Sequence, residues 1–184
     1  VVASGGLLKP IPRSPETYCL FSDAASEAES AGLGGWVHGE WWQLALSTED
    51  RELLHITALE FVALGINIIL YGTTLQGHHA LLLSDALATV WTMQKGSAKA
   101  LTMQAILRIL KATPEYAALS PLLAVEHLYG ECNPLADAAS RGKRRVLDAL
   151  SAQLGVVTRE VTLPARVLRF VDDVRSAARR IRAG

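Results

Sequence analysis

The chain has 184 residues, half of them apolar and 20% charged, with 18 basic and 18 acidic side chains. That composition excludes a disordered chain, and the length suits one domain of ordinary size with room for appended segments. The longest apolar stretch, Ile56 to Tyr71, carries Glu60 and Asn67 and falls short of the roughly 20 cleaner residues that a bilayer span needs, so no membrane partner is expected.

Val1-Val2-Ala3 brings neither an initiator Met nor a basic leader, so the chain reads as a piece of something longer with no visible signal peptide. Residues 1–16, with Gly5-Gly6, Pro10, Pro12 and Pro15, read as an extended lead-in. Tyr18–Ser22 reads as a short strand. The segments 32–39 and 40–46 read as two more, joined by a tight turn near His38-Gly39. Thr57 to Tyr71 is long enough for a helix and apolar on nearly every side, so it should be covered from several directions. Residues 80–84 (ALLLS) read as a buried strand ending at Asp85, followed by a helix to about Lys95 that Gly96 stops. Ser97 is placed to cap the next helix, which runs to Thr113 before Pro114. A fifth strand is expected over 122–128. Asn133 and Pro134 then signal a helix start, with the helix continuing to about Gln153. This order implies a mixed sheet with an antiparallel meander and later crossover connections.

The ends of the chain differ in charge. Residues 141–184 hold eleven basic and four acidic side chains, leaving seven and fourteen for the rest. A basic end on an acidic body suggests a nucleic-acid partner, while a solvated helical face explains it equally well. After Pro164, Val167, Val171, Val174, Ala178 and Ile181 recur at helical spacing among arginines, so 154–184 reads as a basic tail with a helix. It could pack on the domain, meet nucleic acid or belong to a following module. Cys19 and Cys132 form neither a metal spacing nor a disulfide framework, which suits a reducing, intracellular setting.

Four carboxylates sit in apolar surroundings: Asp23 after the first strand, Glu60 in the long helix, Asp85 after the fourth strand and Asp137 near the start of the last core helix. If the first and fourth strands are parallel neighbours, Asp23 and Asp85 emerge at one carboxyl edge, where open α/β sheets place ligands. Ionised carboxylates resist burial and repel one another, so such a set is best explained by a divalent cation, with Mg²⁺ the natural match for oxygen ligands. Each acid also has a local reading. Asp23 can belong to a turn, Glu60 with Thr57 can form a capping box, Asp85 can cap the following helix, and Asp137 can complement a helix dipole.

Their order and context resemble the ribonuclease H domain of reverse-transcribing retroelements, over roughly Tyr18 to Gln153. LFSDAA (20–25) is similar to that family's first-strand motif, ITALEFVAL (56–64) to its glutamate helix and LLLSDALATVWTMQKGSA (81–98) to its fourth strand and following helix. YGECNPLADAASR (129–141) resembles the closing motif P-G-x-x-N-x-x-A-D-A-L-S-R. The general character is nearest to tyrosine-recombinase (DIRS-like) elements. The resemblance implies an α/β, ribonuclease H-like five-stranded mixed sheet flanked by helices. It implies endonucleolytic cleavage of the RNA strand of an RNA–DNA hybrid, beside a reverse transcriptase domain in one polyprotein. Asp23, Glu60, Asp85 and Asp137 would hold two Mg²⁺ ions, with Mn²⁺ as substitute and Asp23 bridging both. Contacts to the duplex are expected from Ser22, Ala24 and Ser26, from Lys95, Ser97 and Lys99 between helices, and from Asn133 and Arg141. A non-catalytic module of the same fold, binding nucleic acid or holding a polyprotein together, is the alternative.

Three departures from the family pattern stand out. The histidine-bearing loop before the last helix is missing, and His127 reads as a structural residue on a strand. Ala86 follows Asp85 where relatives carry a polar residue. Tyr129 stands where retroelements usually have proline. Trp36, Trp41 and Trp42 are expected to pack the sheet, and His78-His79 to have no metal role.

Overall fold

A computed structural model describes residues 16–27 and 29–184. The lead-in expected over 1–16 therefore lies, but for Glu16, outside the described residues. The molecule is α/β and ribonuclease H-like. Strands β1 (Thr17–Ala25), β2 (Gly32–Val37), β3 (Glu40–Ala45), β4 (His79–Ser84), β5 (Leu123–His127) and β6 (Arg159–Glu160) form one mixed sheet in the order β5-β4-β1-β2-β3-β6. The β1–β2–β3 meander is antiparallel, turning at His38-Gly39, where both residues have positive φ. β4 runs parallel to β1, and β5 parallel to β4. The sheet has six strands rather than five, because Arg159 and Glu160 add a short parallel rung along β3.

The helices are α1 (Thr48–Leu53), α2 (Ile56–Tyr71), α3 (Leu87–Lys95), α4 (Leu101–Lys111), α5 (Pro114–Leu119), α6 (Pro134–Ser140), α7 (Arg144–Gln153) and α8 (Ala165–Ala183). As its all-round apolarity requires, α2 is buried from Ala58 to Tyr71. The sheet, α4, α5 and α8 surround it. Its one buried amide, Asn67, accepts from Trp42 Nε1 at 2.8 Å and donates to the Phe21 carbonyl at 3.0 Å, tying α2 to two strands. Asn67→Leu would strand both partners in the core. A loss of about 2 kcal/mol in chemical denaturation is expected, and an unchanged midpoint would show that the tie is dispensable.

The expected helices differ from the observed ones in four places, one of which is α5, a helix opened by Thr113 and Pro114 where none was expected. Ser97 caps nothing, since α4 begins after Ala100, which offers no side-chain bond. The single helix expected from Asn133 to Gln153 is two, because Gly142 takes a left-handed φ of 65° and breaks it. Helix α1 was not anticipated. Ser47 and Asp50 cap it reciprocally, each side chain meeting the other's backbone N–H.

The basic tail packs on the domain. Val167, Phe170, Val171, Val174, Ala177 and Ala178 of α8 are buried, most of them in the same core as α2. Its arginines meet acids from the body: Arg175 grips the buried Asp50 with two bonds of 2.7 and 2.9 Å, Arg179 meets Glu49, and Arg166 meets Glu115. Much of the charge asymmetry is thus neutralised within the molecule. No helix among the described residues is long and apolar enough to cross a membrane.

Candidate metal centre

β1 and β4 pair as far as Phe21 and Leu83, and there the ladder stops. β1 continues to Ala25, paired with β2 alone, so Asp23 lies inside the strand rather than at its end. Continuing the β1–β4 register by two residues sets Asp23 opposite Asp85, just past the end of β4. The parting of the two strands at the carboxyl edge of the sheet leaves backbone groups of β1 to other partners. The Ser22 carbonyl accepts from Asn133 Nδ2 at 3.0 Å, and the Ala24 N–H donates to Glu60 Oε1 at 3.0 Å.

Glu60 reaches the same edge from the first turns of α2. It takes no part in a capping box, because His55 is the N-cap of that helix and accepts from the Thr57 N–H. Nor is Asp85 a cap for α3: Ala86 occupies that position, and its N–H donates to Ser84 Oγ. With those local roles excluded, Asp23, Glu60 and Asp85 each offer an oxygen within 4.8 Å of the other two. Asp23 and Glu60 are buried, and Glu60 Oε2 has no hydrogen-bond partner among the described residues.

The electrostatic cost of this cluster is plain in its proton affinities. Burial, aided by the charges of Asp23 and Asp85 and opposed by the Ala24 N–H, pushes Glu60 up to about 9. Burial likewise raises Asp23 to about 6, against a hydrogen bond from Ser140 and with repulsion from Asp85 and Asp137. A divalent cation would supply the missing charge and a partner for the orphaned Glu60 oxygen. An all-carboxylate oxygen set suits a hard cation such as Mg²⁺. The donor set therefore fits the ion expected from the sequence.

Asp137 departs from expectation. It is not among the three carboxylates that converge. Its Oδ1 accepts from Arg141 Nε at 2.6 Å, and Arg141 Nη1 donates to Glu27 at 2.7 Å. Arg141, expected to meet nucleic acid, is occupied by two carboxylates. Three other expected substrate contacts are also placed otherwise. Ser22 is 1% exposed, Asn133 2% and Ala24 8%, so these residues lie beneath the surface rather than on it. Ser26, Lys95, Ser97 and Lys99 are exposed, with the Lys95 ammonium 5.6 Å from the centre of the Trp91 ring.

Two features of the site escaped the sequence reading. Ser140 Oγ donates to Asp23 Oδ2 at 2.5 Å, fixing that carboxylate from α6. The serine lies three residues after Asp137, one helical turn away, which was a legible signal. Helix α6 can approach because β2 is glycine-rich: a Cβ on Gly34 would lie 2.1 Å from Ser140 N, and one on Gly32 2.3 Å from Ser140 O. A Cβ on Gly130 would stand 3.1 Å from Asp85 Oδ2. His127 holds the Asp85 carbonyl through Nε2 at 3.1 Å and packs edge-on against Tyr129, a structural role. Trp41 and Trp42 are buried in the sheet's two cores. No protein-family model and no curated protein matches this chain.

Proposed function

We propose that the chain is a metal-dependent nuclease domain of the ribonuclease H type, acting on the RNA strand of RNA–DNA hybrids within a retroelement reverse transcriptase polyprotein. The observation that carries this reading is the buried Glu60 carboxylate, with one oxygen lacking a hydrogen-bond partner among the described residues, grouped with two further carboxylates at the end of the β1–β4 ladder. Repulsive, buried acids without cations among them have no stabilising role to explain their placement. Asp23, Glu60 and Asp85 would hold Mg²⁺, or Mn²⁺ in its place. Bound there, such ions supply an activated water and stabilisation of the departing oxygen in phosphodiester hydrolysis.

The chain's own residues do the positioning. Ser140 and the Ala24 N–H fix one oxygen each of Asp23 and Glu60, which leaves the other oxygens for ligation. Asn133 braces the backbone of β1 one residue before Asp23. Exposed Lys95 and Lys99 offer phosphate contacts, and the sugar hydroxyls of an A-like duplex are what such a surface can sense without reading sequence. One observation favours the alternative of a non-catalytic module: Asp137 is engaged by Arg141 and is not among the three grouped carboxylates.

The deciding experiment incubates the folded chain with a labelled RNA–DNA hybrid, an all-DNA duplex and an all-RNA duplex, each with Mg²⁺ or with chelator. Mg²⁺-dependent cutting of the RNA strand of the hybrid alone is the expected result. Binding of the hybrid without cutting would hand the site to the non-catalytic reading.

A further inference from the structure

Asp137 adjoins the cluster through Ser140, whose Oγ donates to Asp23 Oδ2 at 2.5 Å and lies 3.0 Å from the Asp137 carbonyl oxygen, while the Asp137 carboxylate itself pairs with Arg141. Arg141 in turn spans to Glu27, on the loop after β1, so one guanidinium ties the end of α6 to that loop. Its two acid partners are well exposed, with side chains 41% and 62% accessible, whereas the guanidinium side chain is only 25% accessible. Exposed ion pairs of this kind are weak and open to competition. The competitor of matching shape is a phosphodiester: a guanidinium fork takes two oxygens of a phosphate as readily as those of a carboxylate. We propose that Arg141 is a positioning residue that withholds Asp137 from the metal cluster until a substrate phosphate takes the guanidinium.

On this view the fourth carboxylate is delivered by the substrate. The site holds cations loosely when empty of nucleic acid and more tightly when a backbone phosphate occupies Arg141. The inference rests on the metal reading above, and its test separates the two. Mn²⁺ affinity is measured by the loss of the free-ion paramagnetic resonance signal, on the full chain without nucleic acid. The variants are Asp137→Asn, Arg141→Gln, the two combined, and Asp85→Asn.

With Asp137 withheld, Asp137→Asn leaves the wild-type affinity within about two-fold. Arg141→Gln tightens it, and adding Asp137→Asn to that variant weakens binding about five-fold or more, a coupling of ordinary allosteric size. The double comparison removes the general effect of deleting one positive charge, which both Arg141→Gln proteins share. Equal weakening by Asp137→Asn in both backgrounds overturns the proposal, since Asp137 would already be a ligand. No weakening in either overturns it too, since Asp137 would never join. If Asp85→Asn also leaves Mn²⁺ binding unchanged, the metal centre itself is refuted. If Asp85→Asn weakens binding while the cycle shows no coupling, only the withholding by Arg141 is refuted. Arg141→Lys, which keeps the charge and loses the fork, serves where Arg141→Gln does not fold, with a smaller coupling of the same sign.

Discussion

Glu60→Gln is expected to make the metal-free protein more stable at neutral pH while abolishing cleavage. The sign follows from the direction of the proton shift. Folding raises the Glu60 carboxyl from 4.5 to about 9, so the folded state holds a proton that the unfolded chain releases. Stability from this group is complete below pH 4.5 and is lost progressively as pH climbs towards 9. At pH 7 the loss is about 3 kcal/mol, which for a domain of this size is roughly 6–12 °C in the thermal midpoint. Glutamine keeps the shape and an oxygen for the Ala24 N–H but has no charge to bury. Its midpoint should match the wild type near pH 4.5 and exceed it increasingly from pH 5 to 9. Asp23, raised from 3.8 to about 6, adds a second decline over the lower part of that range in both proteins. Mg²⁺ or Mn²⁺ should stabilise the wild type, more strongly at higher pH, and the variant far less. Thermal unfolding with and without cation across that range checks all of this. Coincident wild-type and variant midpoints at every pH in chelator would show that Glu60 is not the strained group.

Gly34→Ala should damage fold and function together. The new methyl would meet Ser140 N at 2.1 Å and the Ala139 carbonyl carbon at 2.5 Å, and backbone atoms cannot swing aside as a side-chain tip can. Either α6 lifts from the sheet or β2 is displaced. The expected cost is at the upper end of the ~1–3 kcal/mol that overpacking brings, and it is concentrated at one contact. Because α6 also carries Ser140, Asp137 and, at its N-cap, Asn133, lifting it breaks the bond to Asp23 and loosens the brace on Ser22. Hybrid cleavage should fall at least about ten-fold even where the protein remains folded, the scale of loss that a small misplacement of catalytic groups brings. Gly77→Ala is the matched control. Among the described residues no atom beyond its chain neighbours lies within 4 Å of its added Cβ, and its positive φ costs about 1 kcal/mol with cleavage retained. Equal activity in the two variants would separate α6 from the chemistry.

The parts of this molecule that the sequence foretold are those governed by local pattern. The five main strands, the buried α2 and the stop at Gly96 follow from apolar runs and their punctuation. Asp23, Glu60 and Asp85 were conspicuous as charges in segments otherwise committed to the interior. Long-range pairing was not legible. Arg141 lies one turn from Asp137, but its second acid, Glu27, is distant in sequence, and nothing local says that the guanidinium joins them. The approach of α6 depends on missing side chains in β2, which read only as a permissive strand. The break at Gly142 was written in the residue, yet an apolar pattern resuming at Val146 and Leu147 masked it. Asn133 is the N-cap of α6 as the sequence suggested, but its amide makes no capping bond and is spent on the Ser22 carbonyl where β4 parts from β1.

The pairing of α8 with the acids of α1 and α5 bears on how this protein meets a polyanion. Binding to nucleic acid is ordinarily driven by the counterions that cationic side chains displace from phosphates. Arg166, Arg175 and Arg179 already have acids for neighbours, so a strand that recruited them would release few ions and would have to break an internal contact. The gain in mixing entropy that draws a uniformly basic surface onto any duplex is largely forfeited here. On the nuclease reading, these three arginines of α8 would add little to the salt dependence of hybrid binding, which Lys95, Lys99 and Arg141 would set instead.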